Sequence, residues 1–89
     1  MFIVYAIKSE KCNYIYVGLT NNLERRLQQH FQGKSSTTRA YRPFILIYSA
    51  LFETRIEARI NEKILKSGSG KEFLKKNYAQ VAKLVDAYV

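Results

Sequence analysis

Tyr16, Arg26 and His30 are the residues of this chain whose types and spacing can do chemistry together. Gly18 follows Tyr16 closely, and the run Leu23-Glu24-Arg25-Arg26-Leu27-Gln28-Gln29-His30 carries the other two. Residues four apart share one face of a helix, so Arg26 and His30 point the same way. A guanidinium grips phosphate through two parallel donors, and an imidazole ordinarily titrates near neutral pH. A strand-borne phenol beside that pair makes a phosphate-handling site.

The elements that must position these groups are legible in outline. Phe2 to Ile7 is β-branched and aromatic and reads as a strand. After a polar turn, Tyr14 to Val17 reads as a second strand, antiparallel to the first across a short loop. Gly18 ends it. Asn21 fits a helix N-cap with Glu24 as its capping-box partner, and Leu23, Leu27 and Phe31 form an apolar stripe closed by Gly33. Lys34 to Arg42 reads as an exposed basic loop, with Lys34, Arg39 and Arg42 open to phosphates. Pro43 leads into a third strand, Phe44 to Leu51, whose unbroken apolar run predicts burial on both faces and a central place in the sheet. Thr54 and Glu57 make a capping box for a second helix reaching about Lys66. Gly68 and Gly70 end that helix, and a third covers Lys71 to Asn77. In the remaining tail, Val81, Leu84, Val85 and Tyr88 recur at helical spacing.

Composition narrows the partner. The chain has 89 residues, a net charge of +8 and 47% hydrophobic residues, which fits one folded domain with an anionic partner. Nucleic acid is the usual such partner. One cysteine, Cys12, fits a reducing compartment, and one histidine makes a zinc site untenable. No apolar run is long enough to span a membrane, and the N-terminus lacks a signal-peptide pattern. The expected location is the cytoplasm.

Taken in order, Val4-Tyr5, Tyr16-Val17-Gly18, Arg26, His30 and Glu57-Ala58-Arg59-Ile60-Asn61-Glu62 resemble the GIY-YIG nuclease family. The likeness is greatest to its small stand-alone bacterial members and spans about Phe2 to Lys76. The resemblance implies an α/β (α+β) fold, a three-stranded antiparallel sheet flanked by helices in β-β-α-β-α-α order. It makes residues 1–77 the nuclease-like domain and 78–89 a C-terminal tail. It implies metal-dependent hydrolysis of DNA phosphodiesters, using Mg²⁺ or alternatively Mn²⁺. Tyr5 and Tyr16 take the two motif tyrosines, Arg26 the helix arginine and His30 the histidine one turn on. Glu62 takes the metal-binding glutamate. The first motif lacks its glycine, since it reads Ile3-Val4-Tyr5, and the second reads Tyr-Val-Gly. Leu74 stands where many members have an asparagine.

The chemistry asks for an activated water, positive charge on the nonbridging oxygens and help for the leaving group. Arg26 suits phosphate. Tyr16 with assistance from His30 is the first choice of base, with Tyr5 and His30 themselves as alternatives. Each residue also has an ordinary reading. Tyr5 and Tyr16 fit a strand core, and Arg26 and His30 fit a solvated helix edge. Helical phase complicates the acid. Ile56, Ile60, Ile64 and Leu65 define an arc centred near Glu57 and Asn61, with Glu62 beyond its edge, whereas the family spacing selects Glu62. The backbone-binding candidates are Lys34, Arg39, Arg42 and Lys71. With no second domain in sight, weak sequence preference or recognition of branched or single-stranded DNA is expected. The alternative is a non-catalytic nucleic-acid-binding module of the same fold.

Overall fold

In a computed structural model the described residues are 1–76. The predicted tail, 78–89, lies outside them, as does Asn77. Three strands, β1 (Phe2–Ser9), β2 (Ile15–Thr20) and β3 (Phe44–Phe52), form one antiparallel sheet in the order β2-β1-β3. Helices α1 (Leu23–Phe31), α2 (Arg55–Lys66) and α3 (68–76) complete the β-β-α-β-α-α order.

The central strand is β1, not β3. Val4, Tyr5, Ala6 and Ile7 are all fully buried, whereas Leu46 and Leu51 of β3 are 40% and 60% exposed. Strand alternation sends Val4 and Ala6 to one face and Tyr5 and Ile7 to the other. The first face packs Val17, Ile47, Ala58, Leu65 and Leu74, and so carries α2 and α3. The second packs Phe44, Tyr16, Leu23 and Leu27, and so carries α1. An apolar run therefore marked β3 as central although a neighbour on only one side, plus cover from α2, suffices for it. A register shift against β1 at Ala6/Ile7 adds a bulge to this edge strand.

Local chemistry sets the helix ends. α1 is capped by Asn22, not Asn21: the Asn22 side chain accepts from Arg25 N at 3.1 Å. The shift by one residue follows from Thr20, which stays in β2 and whose hydroxyl accepts from Asn22 N at 3.1 Å. Glu24 is therefore one position too early for a capping box. At the other end Lys34 N donates to Gln29 O and Gly33 N to His30 O, with Gly33 at φ 77°. This is the paired 6→1 and 5→2 closure that a left-handed glycine permits. Phe31 is exposed, so the buried stripe of α1 is Leu23, Leu27 and His30.

The phase of α2 is the largest departure from expectation. Ile56, Ile60 and Ile64 are 75%, 56% and 55% exposed, while Ala58 and Leu65 are buried and Asn61 and Glu62 half-buried. The contact face is Ala58-Glu62-Leu65, with the small Ala58 letting the helix backbone approach the sheet. Gly70 does the same for α3. It does not end a helix but lies inside one, buried against the Ile64 carbonyl and the Leu65 backbone, where a Cβ would collide. Gly70→Ala gains helix propensity but is expected to lose about 1–3 kcal/mol net through overpacking. A denaturant-unfolding midpoint at or above that of the wild type would show that α3 yields at this crossing.

Candidate active site

The sequence-selected groups Tyr5, Tyr16, Arg26 and His30 converge on the α1 face of the sheet. Tyr5 pairs with Gly18 across the β1–β2 ladder, and Ile7 with Tyr16. A Cβ on Gly18 would fall 2.7 Å from the Tyr5 ring and 2.9 Å from the Tyr16 ring. The bare backbone there is what lets the two phenols approach each other, with ring centroids 6.2 Å apart. α1 crosses above and delivers His30 between them, 5.7 Å from the Tyr5 ring and 4.9 Å from the Tyr16 ring.

His30 is completely buried and bonded at both ring nitrogens. Nε2 meets the Tyr5 hydroxyl at 2.7 Å and Nδ1 meets the Thr38 hydroxyl at 2.8 Å. Burial first, then the Arg26 charge, lowers its pKa from 6.5 to about 4. The imidazole is therefore neutral at pH 7. Burial pushes the Tyr5 phenol up to about 12; Arg26 pulls the other way, and Tyr16 adds to the rise. Burial also works against the Arg26 charge, but interactions with the Tyr5 and Tyr16 hydroxyls outweigh it and hold its pKa above the usual value. With the proton on Nδ1, Nδ1–H donates to Thr38 Oγ1 and the Tyr5 O–H donates to Nε2; the other tautomer reverses both bonds. Arg26 donates to Gln29 Oε1 at 2.9 Å. With Arg25, Asn22 and Thr20 the two line a cavity of about 160 Å³.

Thr38 was invisible to sequence reasoning. It belongs to a Ser/Thr-rich loop that reads as exposed, yet it is fully buried. No spacing signal ties it to His30, because a one-turn 3-10 segment, Arg39–Tyr41, folds the loop back over α1. Arg39 and Arg42 are part of that fold. Arg39 Nε donates to Gly33 O at 3.0 Å, Arg42 Nε donates to Arg39 O at 3.2 Å, and the Arg42 guanidinium lies against Gly33. Lys34 sits at the same helix end, exposed.

Glu62 stands apart from this cluster, on the helix across the sheet. Its side chain is 14% exposed and ion-paired to Lys66 at 3.7 Å. Among the described residues no hydrogen bond or ion pair joins it to Tyr5, Tyr16, Arg26 or His30. Lys66, its partner, lines a cavity of about 320 Å³ together with Tyr16 and Lys71. Glu57 is exposed and flanks its cap residue, the Glu57 N–H donating to Thr54 Oγ1 at 3.2 Å. Among the described residues no group of three or more His, Cys, Asp or Glu side chains gathers to hold a metal. A lone carboxylate still fits Mg²⁺, which keeps several waters and completes its shell with substrate phosphate.

Residues 1–78 match the GIY-YIG catalytic domain. The chain belongs to this family. A UPF0213 protein of Staphylococcus haemolyticus is 37% identical over 73 residues, covering 81% of this chain and 88% of its own. A UPF0213 protein of Bacillus velezensis is 47% identical over 47 residues, and there the match covers 52% of this chain and 48% of that protein. The solution NMR structure of a UPF0213 protein from Bacillus halodurans has 31% sequence identity and a TM-score of 0.52, with 85% of this chain and 84% of that one covered. The GIY-YIG family is a nuclease family, the three-stranded fold agrees with it, and no helix among the described residues is long and apolar enough to cross a membrane.

Proposed function

We propose that this GIY-YIG protein is a divalent-metal-dependent endonuclease that hydrolyses DNA phosphodiester bonds, with weak sequence preference and a taste for branched or single-stranded regions. The observation that carries this reading is the buried Tyr5–His30–Thr38 hydrogen-bonded chain, which packs against Tyr16 on the face of the sheet where α1 carries the half-buried Arg26. Arg26 takes the nonbridging phosphate oxygens, where its fork geometry matches two acceptors. Tyr16, half-buried, orients the attacking water as the phenol, or as the phenolate accepts its proton and becomes the phenol. Tyr5 stays a neutral phenol and holds its place. His30 has no exposed surface and no free nitrogen. Both facts favour a positioning role, exerted through Tyr5, over proton abstraction from water. Glu62 would hold Mg²⁺ or Mn²⁺, which when bound screens phosphate charge and aids the leaving oxygen. The exposed, unpaired Cys12 suits a cytoplasmic location.

The test is nicking of branched, single-stranded and duplex DNA with Mg²⁺ or Mn²⁺. Wild type is expected to cut, to stop on chelation, and to lose about 100-fold or more in Glu62→Gln. Cleavage that persists undiminished in chelator, or in Glu62→Gln, would rule out this use of the carboxylate. DNA binding without cleavage under any metal would leave only a binding module.

A further inference from the structure

Among the described residues β2 hydrogen-bonds β1 on one side and pairs with no strand on its other edge. Three hollows follow that edge from its C-terminal to its N-terminal end. One of about 160 Å³ lies past its C-terminal end, between Thr20, Arg25 and Arg26. The next, about 320 Å³, is lined by Tyr16, Val17, Lys66 and Lys71. The last, about 260 Å³, is lined by Asn13, Tyr14, Lys71 and Lys75. The second and third share Ile15 and Lys71, so they are continuous. Among the described residues, five cations thus border the edge and no carboxylate lines any of the three hollows.

The charges on α3 are sorted accordingly. Lys71 and Lys75 are one turn apart and face β2, both exposed and, among the described residues, in no ion pair. Glu72 lines a different hollow with Gly68 and Phe73. Beyond Tyr16, at the far end of the edge, Tyr14 stacks on Tyr41 with centroids 3.9 Å apart and planes 6° from parallel. Both rings are only half-buried, and Tyr14 lines the hollow that it shares with Lys75. Stacked bases use such surfaces, and phosphates use the lysines.

We propose that the open edge of β2 is the track of the nucleic-acid strand, running from Arg26 past Tyr16 to Lys71, Lys75 and the Tyr14–Tyr41 stack. From Tyr14 to Thr20 the track is about 20 Å long, room for about six phosphates at duplex spacing. It brings the strand past Tyr16 and past Lys66, the ion-pair partner of Glu62. The inference rests on the nuclease reading above.

Binding of a fluorescent DNA hairpin with a single-stranded tail, followed against salt in a cleavage-deficient Glu62→Gln parent, tests it. Lys71→Ala/Lys75→Ala is expected to weaken binding at least tenfold at low salt and to flatten the log–log salt slope by about 1.4–1.8. Arg55→Ala/Arg59→Ala removes the same charge from the outer face of α2 and is expected to cost less than threefold. Equal losses in the two pairs, or a larger loss in the second, overturn the track while leaving the nuclease reading intact. A parent that does not bind, together with a wild type that does not cut, overturns both. Thermal midpoints of both pairs near that of the parent exclude unfolding as the cause.

Discussion

Arg26→Lys is expected to lower the phosphodiester cleavage rate by about 10²–10³-fold while leaving the fold intact. Lysine keeps the positive charge but not the planar fork, so it contacts one phosphate oxygen where arginine contacts two. It also lacks the further donors that let the guanidinium hold Gln29 Oε1 through one nitrogen and still face phosphate. Because Arg26 is only partly buried at the mouth of the site, the unfolding free energy should change by less than about 1 kcal/mol. Steady-state kinetics separate the contributions. A loss confined to kcat places the interaction in the transition state, whereas a rise in KM alone places it in ground-state binding. A lysine variant retaining a third or more of wild-type kcat/KM would show that charge without fork geometry is enough, and would remove Arg26 from its proposed role.

What the sequence disclosed, and what it hid, has a physical pattern. The Tyr16–Gly18–Arg26–His30 segment was readable because its geometry is local: a strand, a tight turn and one helix repeat set every distance within it. The order of the strands is not local. β3 is the most continuously apolar strand, yet β1 is central, since coverage by α2 and α3 accounts for much of what burial the edge strand has. The phase of α2 misled for a related reason. Ile56, Ile60 and Ile64 make a clean apolar row, but the sheet selects the row containing Ala58, where a helix backbone can come close, and Gly70 lets α3 close over Leu65. That phase puts Glu62 on the inward side and Glu57 outside, the ordering that family spacing selected and periodicity did not. Thr38 was hidden because a loop, not a repeat, carries it to His30. A pKa likewise belongs to the folded environment. An imidazole expected near neutrality becomes a buried neutral hydrogen-bonding group once Tyr5, Tyr16, Phe44 and Thr38 surround it.

That shift makes His30 a determinant of acid stability. Its pKa in the folded protein, about 4, lies below the 6.5 of an ordinary histidine. Between those values the unfolded chain takes up a proton that the folded chain refuses, so unfolding is favoured as pH falls. The His30 contribution is therefore fully present above about pH 6.5, is lost progressively on acidification, and is exhausted near pH 4. Its size is on the order of 2–3 kcal/mol, taking the shift at somewhat less than its full value. Carboxylates titrate in the same range, so the informative quantity is a difference between proteins. His30→Gln leaves the Tyr5 and Thr38 hydroxyls imperfectly paired and is expected to be less stable than wild type at pH 7 by about 2–3 kcal/mol. Between pH 7 and pH 4 it should lose less stability than wild type, because it has no imidazole to protonate. Denaturant unfolding of the two proteins at pH 7, 5.5 and 4 should thus give curves that converge with acidification. A gap that stays constant would mean that His30 titrates alike in the folded and unfolded chain, and one that widens at low pH would mean that the fold favours the charged imidazole. It would then donate from both nitrogens, and the Tyr5 hydroxyl would accept from it rather than donate to it.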